Sequence, residues 1–194
     1  MKRAREIRER IDNIRQIEGV VRALQALAVA HRREAERHLK AIRTHAATIA
    51  EALASVLDSG GSPPPEPAGD ARGLLLVVGA AQGFGGSYGD GIADAALAVA
   101  DARDDMMIIG HRTVETLAAR GISEIWSSDM AAHAADLPAL ASRVTDAAFD
   151  LLAAGRHDRM AILAAEPSSA AAAAPSPPRR RTLIPFDFAR FPPA

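Results

Sequence analysis

Cysteine is absent from the 194 residues, which excludes disulfides, thiolate metal sites and cysteine nucleophiles. Aromatic residues make up only 4% of the chain. Hydrophobic content is 48%, yet 44 residues are alanine, so large core-forming side chains are scarcer than that figure suggests. No charge of one sign dominates. The 23 Lys+Arg stand against 24 Asp+Glu, a formal net charge of −1, which argues against a dedicated nucleic-acid binder. No apolar run approaches the roughly 18–20 residues that cross a bilayer, and residues 1–10 are charged rather than signal-like. The expectation is a soluble chain that was never exported and does not insert into a membrane.

What is present falls into four stretches. Residues 1–57 contain no proline and a single glycine, Gly19. Residues 58–73 (DSGGSPPPEPAGDARG) have the composition of a linker. Residues 74–165 alternate short apolar runs with Ala-rich amphipathic stretches, and residues 166–194 form a Pro/Ala/Arg-rich tail. No repeat of 20–50 residues is found, which argues against a solenoid.

In the first stretch Ile14, Ile17, Val21, Leu24, Ala28, His31 and Ala35 follow a 3-4-3-4-3-4 spacing. After one 4-4 step the seam resumes through Leu39, Ile42, Ala46, Ile49, Leu53 and Val56. This is a heptad seam with a stutter, and it predicts one long coiled-coil helix. With 12 Lys+Arg against 8 Asp+Glu over residues 1–58, the arm carries +4. At 1.5 Å per residue such a helix is roughly 84 Å long, too long to bury its seam against a small domain. It needs a second helix or another subunit, and spacing alone favours self-association and hetero-assembly equally. His31, His38 and His45 recur every seven residues, whereas a helical metal site wants i,i+4 spacing. They read as polar residues flanking the seam.

The third stretch predicts an α/β fold, a small Rossmann-like three-layer domain with a mainly parallel sheet. Strands are expected at residues 74–79, 106–110, 122–126 and 159–163, and helices at 90–102, 113–120 and 137–154. The run LLLVV lacks polar alternation, as expected of a strand covered on both sides.

Residues 79–91 (GAAQGFGGSYGDG) lie where a Rossmann fold cradles a pyrophosphate. The third glycine of that fingerprint is replaced by Tyr88, no GxxxxGK[ST] is present, and Asp90 would repel a phosphate. A tight strand-to-helix turn or a contact loop is the expected purpose, with nucleotide binding as the alternative. A triad of Ser87, His111 and Asp104 or Asp105 fails on placement. Ser87 lacks the GxSxG setting, and the acids precede the strand that His111 follows. No catalytic, cofactor-binding or metal-ligating residue is assigned. Arg179, Arg180 and Arg181 are expected in a flexible, solvated stretch.

Taken together, residues 2–36 (KRAREIRERIDNIRQIEGVVRALQALAVAHRREAE), a linker and LLLVVGAAQGFGGSYGDGI resemble the gamma subunit of F-type ATP synthase. Residues 5–11 (REIRERI) match the family's KEI-x-x-RI-x-S-like opening. Residues 20–28 (VVRALQALA) match its I-T-x-AM-x-M-V-A-like stretch, with Ala23-Leu24 for its Ala-Met. Residues 76–78 and 81–86 match its strand and DRGLCGG-N-like turn, with Ala81-Gln82 for its Asp-Arg. The resemblance runs in order over nearly the whole chain.

The resemblance implies a mechanical role without an active site. The family's gamma subunit is the central stalk. Its helical shaft turns inside the hexamer of alpha and beta subunits, and its globular domain sits near the epsilon subunit and the ion-driven membrane ring. It couples ion translocation to ATP synthesis or hydrolysis, and the chemistry lies on the beta subunits. The family's second long helix has no counterpart before Ala194, so the expectation is either a truncated or divergent gamma-like protein or a second helix supplied from elsewhere. By resemblance, Arg8, Arg22, Ala23 and Leu24 contact the hexamer, and Gln82, Gly83, Gly85 and Gly86 form a contact turn of the globular domain. No cofactor and no nucleic-acid partner is implied, and the location is peripheral, on the cytoplasmic face of the inner membrane.

Overall fold

A stretch without proline, dense in Ala, Arg, Leu and Glu, offers nothing to interrupt i→i−4 hydrogen bonding. It forms one helix, α1 (Lys2–Asp58), of 57 residues, about 86 Å at 1.5 Å per residue. The computed structural model describes residues 2–58, 72–82, 87–166 and 176–186. The chain divides into two units, Met1–Ala54 and Ser55–Ala194.

In the first unit, α1 is braced by charge pairs one turn apart. Arg22 meets Glu18 at 2.6 Å and Arg32 meets Glu36 at 2.9 Å. Each such exposed pair contributes about 0.3–0.5 kcal/mol. The apolar seam lies open: Ile14 and Ile17 are each 63% exposed and Leu24 59%.

The second unit is a five-stranded sheet in the order β3-β2-β1-β4-β5. Its strands are β1 (Arg72–Val78), β2 (Asp104–Ile109), β3 (Trp126–Ser128), β4 (His157–Ala165) and β5 (Pro178–Ile184). Neighbours β1–β2, β1–β4 and β2–β3 are parallel, and β4–β5 is antiparallel. Helices α2 (Tyr88–Val99), α3 (His111–Ala118) and α4 (Leu137–Ala153) complete it.

Period-2 alternation splits the LLLVV run between two cores. Leu75 and Val77 join Met106, Ile108, Ala161 and Leu163 beneath α2 and α3, which contribute Ile92, Ala93, Ala96 and Leu117. Leu74 and Leu76 join Met107, Ile109 and Met160 on the other face, beneath Leu140, Val144 and Ala148 of α4. The spacing i, i+4, i+8 on α4 is the stripe expected of a helix with one buried face. The α/β architecture with a mainly parallel sheet and a long N-terminal helix is therefore the one expected.

Two elements differ from expectation. The strand expected at residues 122–126 lies instead at Trp126–Ser128. Ile122 is used to close the turn after α3, its N–H donating to the Leu117 carbonyl at 3.1 Å. Part of the expected tail is β5, hydrogen-bonded along β4 from Ala165 to Met160. Its three consecutive arginines hide the alternation by which strands are recognised. An edge strand tolerates them because one row of its backbone groups faces solvent.

Candidate functional site

Charged and polar residues open the central strands: Arg72 on β1, Asp104 and Asp105 on β2, and His157 and Arg159 on β4. Period-2 alternation sends the two aspartates to opposite faces of the sheet. Beneath α2, Asp104 has a side chain only 1% exposed and meets Arg180 at 3.3 Å and Arg159 at 3.7 Å. Its Oδ2 also accepts the Asp101 N–H at 3.1 Å. Through Arg180, the antiparallel edge strand β5 is tied to β2. Gly73 stands opposite Asp104 in the ladder and leaves the space that this carboxylate occupies.

Beneath α4, Asp105 accepts from both Nε and Nη2 of Arg72, the Nε bond measuring 2.7 Å. Nε2 of His157 lies 2.9 Å from Oδ2 of the same carboxylate. The Arg72 guanidinium, opposed by desolvation and helped by His157, holds the Asp105 carboxyl below the usual carboxylate range. A bulge in β4, where Arg72 and Gly73 face His157 and Arg159, leaves Asp158 as the extra residue and brings His157 to this face.

Ligands of open α/β sheets bind outside the carboxyl ends of the strands. Both ionic clusters sit at the opposite, amino-terminal ends and act as fastenings. At the carboxyl end, the junction of β1 with α3 is filled by the chain's own atoms. The Ala80 N–H donates to the buried Thr113 Oγ1 at 2.8 Å. A Cβ at Gly79 would lie 2.1 Å from that oxygen. Gly110, with φ 107°, lets the backbone turn into α3, and a Cβ there would lie 2.6 Å from the Ala80 carbonyl oxygen. Ser87 flanks α2 without a side-chain cap, and Asp90 stands in its first turn. The imagined triad is not assembled: the Asp104 and Asp105 carboxylates pair with arginines at one end of β2, while His111 opens α3 at the other and meets Glu115 at 3.3 Å. His31, His38 and His45 are exposed along α1. Among the described residues there is no cluster of three or more His, Asp or Glu that could hold a metal, and no helix long and apolar enough to cross a membrane.

The family model described as ATP synthase matches residues 3–190, nearly the whole chain. The chain belongs to the ATP synthase gamma subunit family. No curated protein matches it. Among solved structures, it is similar to the rotor of the Euglena gracilis mitochondrial ATP synthase in rotational state 1, with 9% identity and a TM-score of 0.43. That similarity covers 76% of this chain and 58% of the other, so the chain spans little more than half the length of that relative. The family match does not favour the alternative of a nucleotide- or phosphate-binding domain with an oligomerisation arm.

As a gamma-family chain it carries its candidate contact residues in two places. Arg8, Arg22, Ala23 and Leu24 are exposed on α1, and Arg22 is held by Glu18. Gln82 is exposed beyond the carboxyl end of β1, while Gly83, Gly85 and Gly86 lie outside the described residues. Sequence reasoning missed the fastenings at Arg72, Asp104, Asp105, His157, Arg159 and Arg180. The available signal was a charged pair or triplet immediately before an apolar run, DD before MMII and HDR before MAIL.

Proposed function

We propose that this gamma-family chain is a central-stalk component of a rotary ATP synthase, coupling ion translocation to ATP synthesis or hydrolysis without an active site of its own. The observation that carries the reading is α1: 57 residues of uninterrupted helix with Ile14, Ile17, Val21 and Leu24 open to solvent. Large exposed apolar surface on a soluble rod marks a face that other chains cover. Family membership over residues 3–190 supports the identity of those chains.

In this reading α1 is half of a coiled-coil shaft within the alpha/beta hexamer, with Arg8, Arg22, Ala23 and Leu24 against the hexamer. Gln82, Gly83, Gly85 and Gly86 are the proposed partner contacts of the α/β unit, which faces the epsilon subunit and the membrane rotor ring. The assembly is peripheral to the cytoplasmic face of the membrane. A rod rich in Ala and Arg suits rotation inside a sleeve, because large sticky side chains would hold it at one angle. The proposed division follows the elements: a shaft helix over α1 (Lys2–Asp58) and an α/β unit that begins with β1 (Arg72–Val78) and takes in β5 (Pro178–Ile184).

The test is affinity purification of the tagged chain from its own cells. Alpha and beta subunits are expected to accompany it with ATPase activity, and calorimetry with ATP, ADP and NAD on the isolated chain is expected to give no binding heat. A chain that emerges alone, or that binds a nucleotide by itself, overturns the reading.

A further inference from the structure

The apolar seam of α1 is its own mirror image. Ile14, Ile17, Val21, Leu24, Ala28 and His31 are spaced 3-4-3-4-3, and so are Arg32, Ala35, Leu39, Ile42, Ala46 and Ile49. The two runs meet back to back between His31 and Arg32, and the stutter is that junction. A phase shift elsewhere in a heptad seam would throw an antiparallel self-pairing out of register, whereas one at the mirror point leaves it intact. Laid antiparallel on a copy of itself, the seam sets Ile14 against Ile49, Ile17 against Ala46, Val21 against Ile42, Leu24 against Leu39 and Ala28 against Ala35. Of these, Ile14, Ile17, Val21, Leu24, Ile42 and Ile49 stand open to solvent.

We propose that the free chain pairs with a second copy of itself, the two α1 helices running antiparallel about a twofold axis at His31 and Arg32. The mirrored stretch, residues 14–49, is about 54 Å long at 1.5 Å per residue. It holds about five heptads, where three to four sustain a coiled coil. Charge favours this orientation. Glu18 and Arg43 each lie one position beyond the seam on the same flank, and in an antiparallel pair these flanks face one another. The Glu18 of each copy thereby meets the Arg43 of the other, twice by symmetry. A parallel, in-register pair sets no Asp or Glu against Lys or Arg across its flanks.

Over the mirrored stretch seven Lys+Arg stand against three Asp+Glu, and two such rods repel. Most of the excess points away. At about 100° per residue, Arg15, Arg22, Arg33, Arg37 and Lys40 lie on the face opposite the seam. That puts them more than a Debye length, about 8 Å at physiological salt, from the other copy. At the mirror point Arg32 carries its own counter-charge, Glu36 at 2.9 Å. A polar central layer fixes register at a cost in stability, and Ala28 and Ala35 beside it bury little. The pair is therefore weak and comes apart at high dilution. It does not rest on the stalk reading: in an assembled stalk other chains cover the same face, so self-pairing and assembly exclude each other.

The chain has no cysteine, so an introduced thiol stands alone in it. Full-length Leu24→Cys and Leu39→Cys chains are mixed, gently oxidised and run on a non-reducing gel beside either variant alone. The mixture is expected to cross-link about tenfold faster than Leu24→Cys alone, because a shared core layer holds the two thiols within bonding reach. Arg33→Cys, on the outer face, is expected to cross-link slowest. Sedimentation equilibrium of the unaltered chain is expected to give an average mass that climbs from monomer towards dimer with concentration, and further as salt is raised. Leu24→Cys that joins itself as fast as it joins Leu39→Cys means a parallel pair and overturns the proposal. So does a mixture no faster than Arg33→Cys, a mass that stays monomeric at every concentration, or one that passes beyond the dimer. Whether alpha and beta subunits accompany the tagged chain is read separately, so the loss of one reading leaves the other standing.

Discussion

A carboxylate stands where Gly73 has no side chain. A Cβ built at Gly73 would lie 2.1 Å from Oδ1 of Asp104 and 2.9 Å from Nε of Arg159. Asp104 has nowhere to go, because its side chain is 1% exposed and pinned by Arg180. Gly73→Ala is expected to cost about 1–3 kcal/mol, the range for forcing atoms into a filled site. It would be read as a lowered urea midpoint with unchanged slope. Gly91→Ala is the control: nothing lies within 4 Å of the added carbon, and the position is inside α2. There the substitution is expected to stabilise by about 0.5–1 kcal/mol, since alanine suits a helix better.

The contrast between those glycines shows what a sequence carries and what it withholds. The apolar run from Leu74 to Val78 announces a strand covered on two sides, because no polar residue interrupts it. The i, i+4, i+8 set of Leu140, Val144 and Ala148 announces a helix with one buried face. Both signals are local. β5 gives no such signal: Arg179, Arg180 and Arg181 occupy alternating faces, and Arg180 reaches Asp104, 76 positions away in the chain. The fastenings are pairwise and distant, so periodicity cannot see them. His157 reads as one polar residue among many until the fold sets Leu151 and Asp105 on either side of it. For the proposed contacts, the exposed apolar seam of α1 was legible because its heptad spacing is local. The partner that covers it in the assembled stalk is not written in the same segment.

Thr113 supplies a different kind of contact. It is fully buried, and its hydroxyl accepts the Ala80 N–H at 2.8 Å. Thr113→Val keeps the shape and removes the acceptor, leaving a buried backbone donor without a partner. A loss of about 1–3 kcal/mol is expected by chemical denaturation. Thr113→Ser keeps the acceptor and deletes one methyl, so a smaller loss of about 0.5–1.5 kcal/mol is expected. Equal losses for the two variants would mean that packing, not the hydrogen bond, sets the cost.

The depressed carboxyl of Asp105 links stability to acid pH with a definite sign. Its hydrogen bond from Arg72 is the first cause of the depression, and that from His157 adds to it. A group whose folded value lies below its unfolded one contributes stability above the ordinary carboxylate range and loses it as pH falls through the depressed value. Unfolding free energy, measured by urea at a series of acid pH values, is expected to fall over that interval. In Asp105→Asn the same interval is expected to be flatter, from a lower starting stability. A wild-type profile no steeper than the variant's would dissociate Asp105 from the acid response.

The arm separates stability from assembly. Leu24 is 59% exposed on α1, and Arg22 beside it is 75% exposed and meets Glu18 one turn away. Substitution at an exposed site without buried partners changes stability by no more than about 0.5 kcal/mol. Leu24→Lys is therefore expected to leave the thermal unfolding of the isolated chain at high dilution unchanged. If the seam is covered in the assembled stalk, the same substitution places a charge where an apolar side chain would be buried. Burial of a leucine contributes about 1.5–3 kcal/mol, so recovery of alpha and beta subunits with the tagged chain is expected to fall at least tenfold. Arg22→Ala removes one rim charge and is expected to reduce recovery less, and less again as salt is raised. A Leu24→Lys chain that unfolds at a lower temperature would instead mean that Leu24 is packed within its own chain. Unchanged recovery of the partner subunits would mean that this part of the seam faces solvent in the assembly as well.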